Sequence, residues 1–261
     1  MQTFSLTTTW GSQHWDQYAK RCIESISKHW PDDVDKYFYP DDISQQIAMP
    51  NAKYFKLSDA QPELNEFIKR NKEHPTAMAL KNSGHADFEW DVVRFSYKVY
   101  AMLDAAKQCK TDQLIFIDAD TVTYKDIPFE WLEHIAPANK FSTFLGRKKG
   151  FSETGFITFN MRLPETQKFF DRWHEYYSKD LWVNLKGYTD SFTYDAARID
   201  TTDRSLDNDL NDGRYLGYRG SKHPFVNSEL GDYMDHLKGN RKSIQSSVKD
   251  MKVKRQDDHW R

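Results

Sequence analysis

Two aspartates separated by one residue, Asp118 and Asp120, follow directly on four apolar residues, Leu114 to Ile117. A short apolar run without alternation predicts a strand buried on both faces, as in parallel sheets. Ligands of open α/β sheets bind just beyond the carboxyl ends of the strands. Acids at such a place have two chemical uses: together they hold a divalent cation, or one of them attacks as a nucleophile. The spacing alone is weak. Asp-x-Asp recurs at Asp33/Asp35 and Asp207/Asp209, in polar stretches that read as solvated loops or helix caps.

The second informative stretch is Gly231 to Lys242, where His236 is followed by Gly239 and Lys242. A lone histidine is usually structural. A glycine that lets backbone approach a ligand and a lysine that meets phosphate give this one more weight.

The elements around these residues alternate strand and helix. Thr3 to Trp10 predicts a first strand, ending in Thr7, Thr8, Thr9, Trp10 and Gly11, whose exit loop offers hydroxyls and a close-approach glycine. Gln13 to Lys28 predicts a helix, and Lys36 to Pro40 a second strand. Pro62 to Lys72 predicts a helix with proline in its first turn, and Lys81 to Glu89 a loop. Asp91 to Lys107 is the clearest helix, with Val92, Ser96, Val99, Leu103 and Ala106 as its buried stripe. Arg94 and Lys98 share another face, and pattern alone reads them as surface charge. Ile127 to Ile135 predicts a short helix, and Phe141 to Gly146 and Thr154 to Asn160 two strands around a Lys/Gly-rich hairpin or lid. Pro164 to Lys179 predicts a helix whose aromatic stripe is core. Thr189 caps a helix running to Arg198, and Tyr215 to Tyr218 reads as a last short strand.

With 261 residues the chain suits one large α/β domain, here 1–242, followed by a basic tail, 243–261. Its 37 basic and 39 acidic residues nearly cancel, so no global field recruits nucleic acid. The local clusters Arg147 to Lys149 and Lys249 to Arg255 read as solvated surface. Cys22 and Cys109 alone exclude a disulfide framework. There is no basic n-region with an apolar segment after it and no run of 18 apolar residues, so a soluble, cytoplasmic protein without a transmembrane segment is expected.

Taken together, Asp118-Ala-Asp120 and His236-Leu-Lys-Gly239-Asn-Arg-Lys242 resemble the motifs of nucleotide-sugar-dependent glycosyltransferases of the GT-A fold. The similarity is closest to the retaining group that includes glycogenin and the bacterial lipooligosaccharide galactosyltransferases. Arg94-Phe-Ser-Tyr-Lys98, Thr154-Gly155-Phe-Ile-Thr-Phe-Asn160 and Tyr188-Thr-Asp190-Ser fit later segments of the pattern, and the ordered matches run from residue 3 to 242. Two departures bear on donor sugar and stereochemistry: Ser243-Ile244 stands where the family often has Pro-Trp, and the Asp190 segment lacks its frequent Asp-Gln pair.

The resemblance implies a single-domain, Rossmann-like, mostly parallel sheet flanked by helices, and transfer of a sugar from a nucleoside-diphosphate sugar, UDP favoured. It implies a metal held by Asp118, Asp120 and His236, with Asp118 also on the ribose. Two carboxylates and one imidazole suit Mn²⁺ better than the alternative, Mg²⁺. Lys242 would sit on the diphosphate with Gly239 beside it, and Thr7, Thr8 and Thr9 on base and ribose. Arg94 and Lys98 would face donor hydroxyls or phosphate, Gly155 a sugar-contacting segment, and Asp190 the anomeric carbon. A retaining outcome rests on the resemblance only. A glycan or lipid-linked sugar is the favoured acceptor, ahead of a DNA base or a protein.

The rival is a phosphatase of the haloacid dehalogenase type, in which Asp118 is the nucleophile, Asp120 the acid/base, and Asp232 and Asp235 a late metal motif. A domain that opens on this motif does not explain the strand-helix-strand pattern before it, and it leaves His236, Gly239 and Lys242 without a task. A non-catalytic sugar binder is the third class, against which both acids, His236 and Lys242 speak.

Overall fold

The computed structural model describes residues 1–147, 151–211 and 223–261. Seven strands form the main sheet: β1 (Phe4–Trp10), β2 (Asp35–Pro40), β3 (Ala52–Tyr54), β4 (Gln113–Ile117), β6 (Ser142–Leu145), β7 (Glu153–Asn160) and β8 (Asp207–Asp209). Two more, β5 (Thr121–Thr123) and β9 (Met234–His236), make a separate two-stranded ladder. The order across the main sheet is β3-β2-β1-β4-β7-β6-β8. Its pairings are parallel except where β7 runs against both β4 and β6. This is the mixed, mostly parallel α/β fold expected from the sequence.

The unbroken apolar run of β4 has a simple cause. Leu114 and Phe116 enter one hydrophobic core, Ile115 and Ile117 the other, and all four are buried. One core lies under Val92–Gln108 and Pro164–Ser178, the other under Lys20–His29 and Phe129–Ile135. Phe169, Phe170, Trp173, Tyr176 and Tyr177 are all buried, so the aromatic stripe is core as read.

Several elements differ from expectation. The helix expected from Gln13 arrives in three pieces: a 3-10 turn at Ser12–His14, a π turn at Trp15–Ala19, and α-helix only from Lys20. There Trp15 stacks on Trp10 with centroids 5.7 Å apart. The expected loop at Lys81 to Glu89 is partly helical, because Pro75 and the cap at His74 start a helix that reaches Asn82, and a short one follows at Asp87–Trp90. Ala106 is only half-buried in its stripe. Thr189 takes the N-cap position without donating or accepting a capping bond, and its hydroxyl is buried without a partner. Tyr215 to Tyr218 lies outside the described residues, as do Lys148 and Lys149.

Residues 243–261, expected as a basic tail, fold back onto the domain. Arg241 pairs with Asp250, and the Arg255 guanidinium donates to Asp232 and to the Val226 and Ser228 carbonyls. Trp260 is buried and donates to the Tyr124 hydroxyl at 2.8 Å. Arg255 and Trp260 thus spend their polar groups on the protein, which solvated tail residues do not. No helix among the described residues is long and apolar enough to cross a membrane.

Candidate active site

The site begins where β4 ends. The Asp118 amide donates to the Gly155 carbonyl on antiparallel β7, and the Thr121 amide closes a turn on the Asp118 carbonyl, both at 2.9 Å. That turn carries Asp118 and Asp120 and leads without a break into β5. β5 pairs antiparallel with β9 so that Thr121 faces His236, and the Leu237 amide donates to the Asp120 carbonyl at 2.8 Å. A short ladder therefore delivers a histidine from the end of the chain to aspartates in its middle.

His236 Nε2 lies 3.1 Å from Asp120 Oδ1 and 3.5 Å from Asp118 Oδ2. One ligand atom from each of these three residues falls within 4.8 Å of the others. The imidazole lies flat against Gly155, where a Cβ would come within 2.6 Å of its Cε1 and 2.8 Å of its Nδ1. Any side chain there would have to push the ring away.

Two lysines flank the acids. Lys98 Nζ sits 2.9 Å from Asp118 Oδ1 and 2.8 Å from Asp190 Oδ2, and donates to the Thr154 carbonyl at 2.6 Å. It also caps the Phe116 ring at 4.6 Å. Lys242 Nζ reaches Asp120 Oδ2 at 3.0 Å and lies over the Tyr18 ring at 4.3 Å. Gly239, at φ +63, makes the left-handed turn that brings the lysine back.

Beneath His236 lies a residue the sequence did not flag. Glu153 is buried, with Oε1 4.0 Å from His236 Nδ1, and it pairs with Arg147 and, at 2.9 Å, with Lys238. Its only signal in the sequence was its place just before Thr154-Gly155. Nδ1 itself has no hydrogen-bond partner among the described residues.

Burial dominates the titration of the whole group and is then opposed by charge. Burial alone would raise Asp120, but His236 and Lys242 outweigh it and hold the carboxyl well below the usual range. For Asp118 burial prevails over the pull of Lys98 and His236, and the carboxyl is raised. Glu153 is brought down to about 2 because Lys238, His236 and Arg147 overcome its burial. Burial would lower Lys98 and His236, yet Asp118 and Asp190 raise the first, and Asp120, Glu153 and Asp118 the second. The four carboxylates Asp118, Asp120, Glu153 and Asp190 thus face Lys98, Lys242, Lys238 and Arg147 around one imidazole.

This cluster forms one end of a cavity of about 560 Å³. Thr9, Tyr18, Arg94, Lys98, Asp118, Asp120, Asp190 and Lys242 line it. Among the three threonines only Thr9 does so. The Thr7 hydroxyl donates to the Tyr37 carbonyl within the sheet, and Thr8 is buried with its hydroxyl unpartnered. Arg94 is exposed over the cavity, whereas Lys98, one turn on, is buried between two acids. The reading of Lys98 as surface charge fails because helix periodicity does not show which buried acids a face will meet.

The three donors fit a divalent ion by their chemistry. Asp118 and Asp120 offer hard oxygens, and His236 offers Nε2 while its Nδ1 is turned toward a carboxylate, the usual arrangement behind a ligating histidine. The other acid pairs do not join them. Asp207 is matched to Arg198, Asp232 to Arg255, and Asp235 to His259 and the Ser247 amide.

No family model matches the chain, and no curated protein does. Among solved structures, the apo form of mouse xyloside xylosyltransferase 1 superposes with a TM-score of 0.54 at 10% identity, covering 91% of this chain and 98% of that one. The apo structure of the bifunctional glycosyltransferase WbbM gives a TM-score of 0.49 at 14% identity, over 92% of this chain and 46% of that one. The likeness to the xylosyltransferase is one of fold, and it agrees with the GT-A expectation.

Proposed function

We propose that this chain is a metal-dependent glycosyltransferase that moves a sugar from a nucleoside-diphosphate sugar, with UDP favoured, to an acceptor hydroxyl, with retention. One observation carries the reading: Asp118, Asp120, His236 and Lys242, drawn from distant segments, converge at one end of a cavity large enough for a nucleotide. The mouse xylosyltransferase adds that this fold hosts sugar transfer, an argument by analogy.

Asp118, Asp120 and His236 would hold Mn²⁺, which supplies a Lewis acid for the charge that develops on the leaving diphosphate. Lys242 places a second, fixed positive charge on the same phosphates. Lys98 binds Asp118 and Asp190 together and so fixes both carboxylates relative to the donor. With Oδ2 tied to Lys98 and Thr154, Asp190 presents Oδ1 to a sugar hydroxyl or to positive charge at the anomeric carbon. Thr9 and the Trp10–Gly11 exit loop take the base and ribose, and Arg94 the donor. The domain at 1–242, the tail at 243–261 and a cytoplasmic location belong to the same proposal, as does a glycan or lipid-linked acceptor.

The phosphatase alternative loses its late metal motif here, since Asp232 and Asp235 are matched to other partners. The test is thermal shift with a panel of nucleoside diphosphates, with and without Mn²⁺. A ligand that binds only the native state raises its melting temperature. A shift with UDP that needs Mn²⁺ and disappears with EDTA is expected. Absence of any nucleotide shift, with phosphate released from a generic monoester in Mg²⁺, would overturn the reading.

A further inference from the structure

A second hollow, of about 210 Å³, adjoins the cavity across the first turn of the Val92–Gln108 helix. Asp91 and Val93 line both. The second hollow is completed by Asn71, Lys72, Lys81 and Trp90. The metal-ligand cluster, the diphosphate lysine and the strand-exit threonine all belong to the first cavity, and none of them lines the second.

Its lining has a definite chemistry. Asn71 is only 1% exposed; its amide nitrogen is spent on the Phe67 carbonyl and on Asp180 Oδ1, while its Oδ1 has no partner among the described residues. A buried, unsatisfied acceptor costs free energy until a donor reaches it. Trp90 is half-buried, with Lys81 Nζ 4.6 Å from its ring centroid. The hollow therefore combines an aromatic ring, an acceptor that wants a hydroxyl, and the ammonium groups of Lys72 and Lys81. A sugar ring, with one apolar face and several hydroxyls, meets all three demands. A metal does not, because Asp91 is the only carboxylate.

We infer that this hollow is a carbohydrate subsite that holds the acceptor glycan beside the donor cavity, with Trp90 under an apolar sugar face and Asn71 Oδ1 accepting from a sugar hydroxyl. The assignment rests on the glycosyltransferase reading for its role and on the Trp90–Asn71–Lys81 lining for its ligand. Asp91 and Val93, as the shared wall, set the reach from bound glycan to donor.

A glycan array probed with the full chain, in the presence of UDP and Mn²⁺, tests it, with Trp90→Ala and Lys81→Ala as variants. Wild type is expected to retain defined saccharides, Trp90→Ala to lose at least tenfold in apparent affinity for them, and Lys81→Ala to lose less. Both variants should keep the UDP-dependent thermal shift, which also shows that they are folded. Saccharide binding unchanged by Trp90→Ala overturns the subsite, and so does a wild type that shifts with UDP and Mn²⁺ but retains no saccharide. If the UDP shift is absent while saccharide binding still depends on Trp90, the donor reading falls and the carbohydrate subsite stands.

Discussion

Asp118/Asp120 and Asp207/Asp209 carry the same sequence spacing and meet opposite fates. The first pair sits at the exit of a central strand, against His236 and between Lys98 and Lys242, with cavity before it. The second lies within the edge strand β8. Asp207 is matched to Arg198, and Asp209 Oδ1 accepts from the Gly146 and Asn211 amides. Burial lifts the Asp207 carboxyl in spite of the arginine, whereas His236 and Lys242 drive Asp120 far down. Two acids one residue apart become a site only where the protein aims them at a cavity and brings in a third ligand from elsewhere. Where their oxygens are spent on arginine and amides, the same pair is a brace.

Substitutions can break this contrast, and the sharpest is Asp120→Ala. It removes a ligand and leaves Lys242 without its carboxylate, so the Mn²⁺-dependent UDP shift and all measurable transfer should vanish. A variant with wild-type turnover that survives EDTA would end the metal reading. Lys242→Ala should lower turnover by about 10²–10³, the cost of removing one preorganised charge stabiliser, while the melting temperature holds. An unchanged rate would show that its charge does not act on the diphosphate. Gly155→Ala should weaken Mn²⁺ binding by roughly 10–100-fold in calorimetry, since the new methyl displaces the His236 ring. Equal affinity would mean that the ring is not held by that contact.

A pH series sharpens the comparison further. In the metal-free chain burial lowers His236, but Asp120, Glu153 and Asp118 raise it above its ordinary value, so near neutral pH the ring keeps a proton that the metal must displace. Mn²⁺ affinity should therefore fall as pH drops from about 8 to about 6, with protons released on binding. Heats independent of the buffer's ionisation enthalpy would contradict this. The smallest effect on function is expected from Asp207→Asn. It should leave the UDP shift intact and cost about 2–3 kcal/mol of stability, because buried Arg198 keeps only Asp195. Loss of nucleotide binding in that variant would dissolve the contrast.

The fold was legible because burial on both faces leaves an unmistakable mark. β4, β1 and the Val92–Gln108 helix are written in runs of apolar residues whose period survives any context. Asp118, Asp120, His236, Gly239 and Lys242 were legible as two motifs, and the ladder β5–β9 explains why they belong together. Lys98 was hidden, since charge on a helix face normally means solvent and only the folded chain puts Asp118 and Asp190 around it. Glu153 was hidden for the same reason: a single acid at a strand start carries no spacing. The inward fold of the tail was masked by composition, because Arg255 is matched by Asp232 and backbone carbonyls that no local pattern foretells.

The ladder that joins β5 to β9 also sets a timetable. Its two strands lie far apart in the chain, so the loop they close is entropically expensive and their pairing depends on nearly the whole polypeptide being present. A growing or clipped chain that stops short of β9 carries both aspartates, β4 and most of the main sheet, yet lacks His236, Gly239 and Lys242. Such a fragment cannot assemble the site and cannot squander activated sugar on water. Completion of the chain is thus built in as the condition for chemistry.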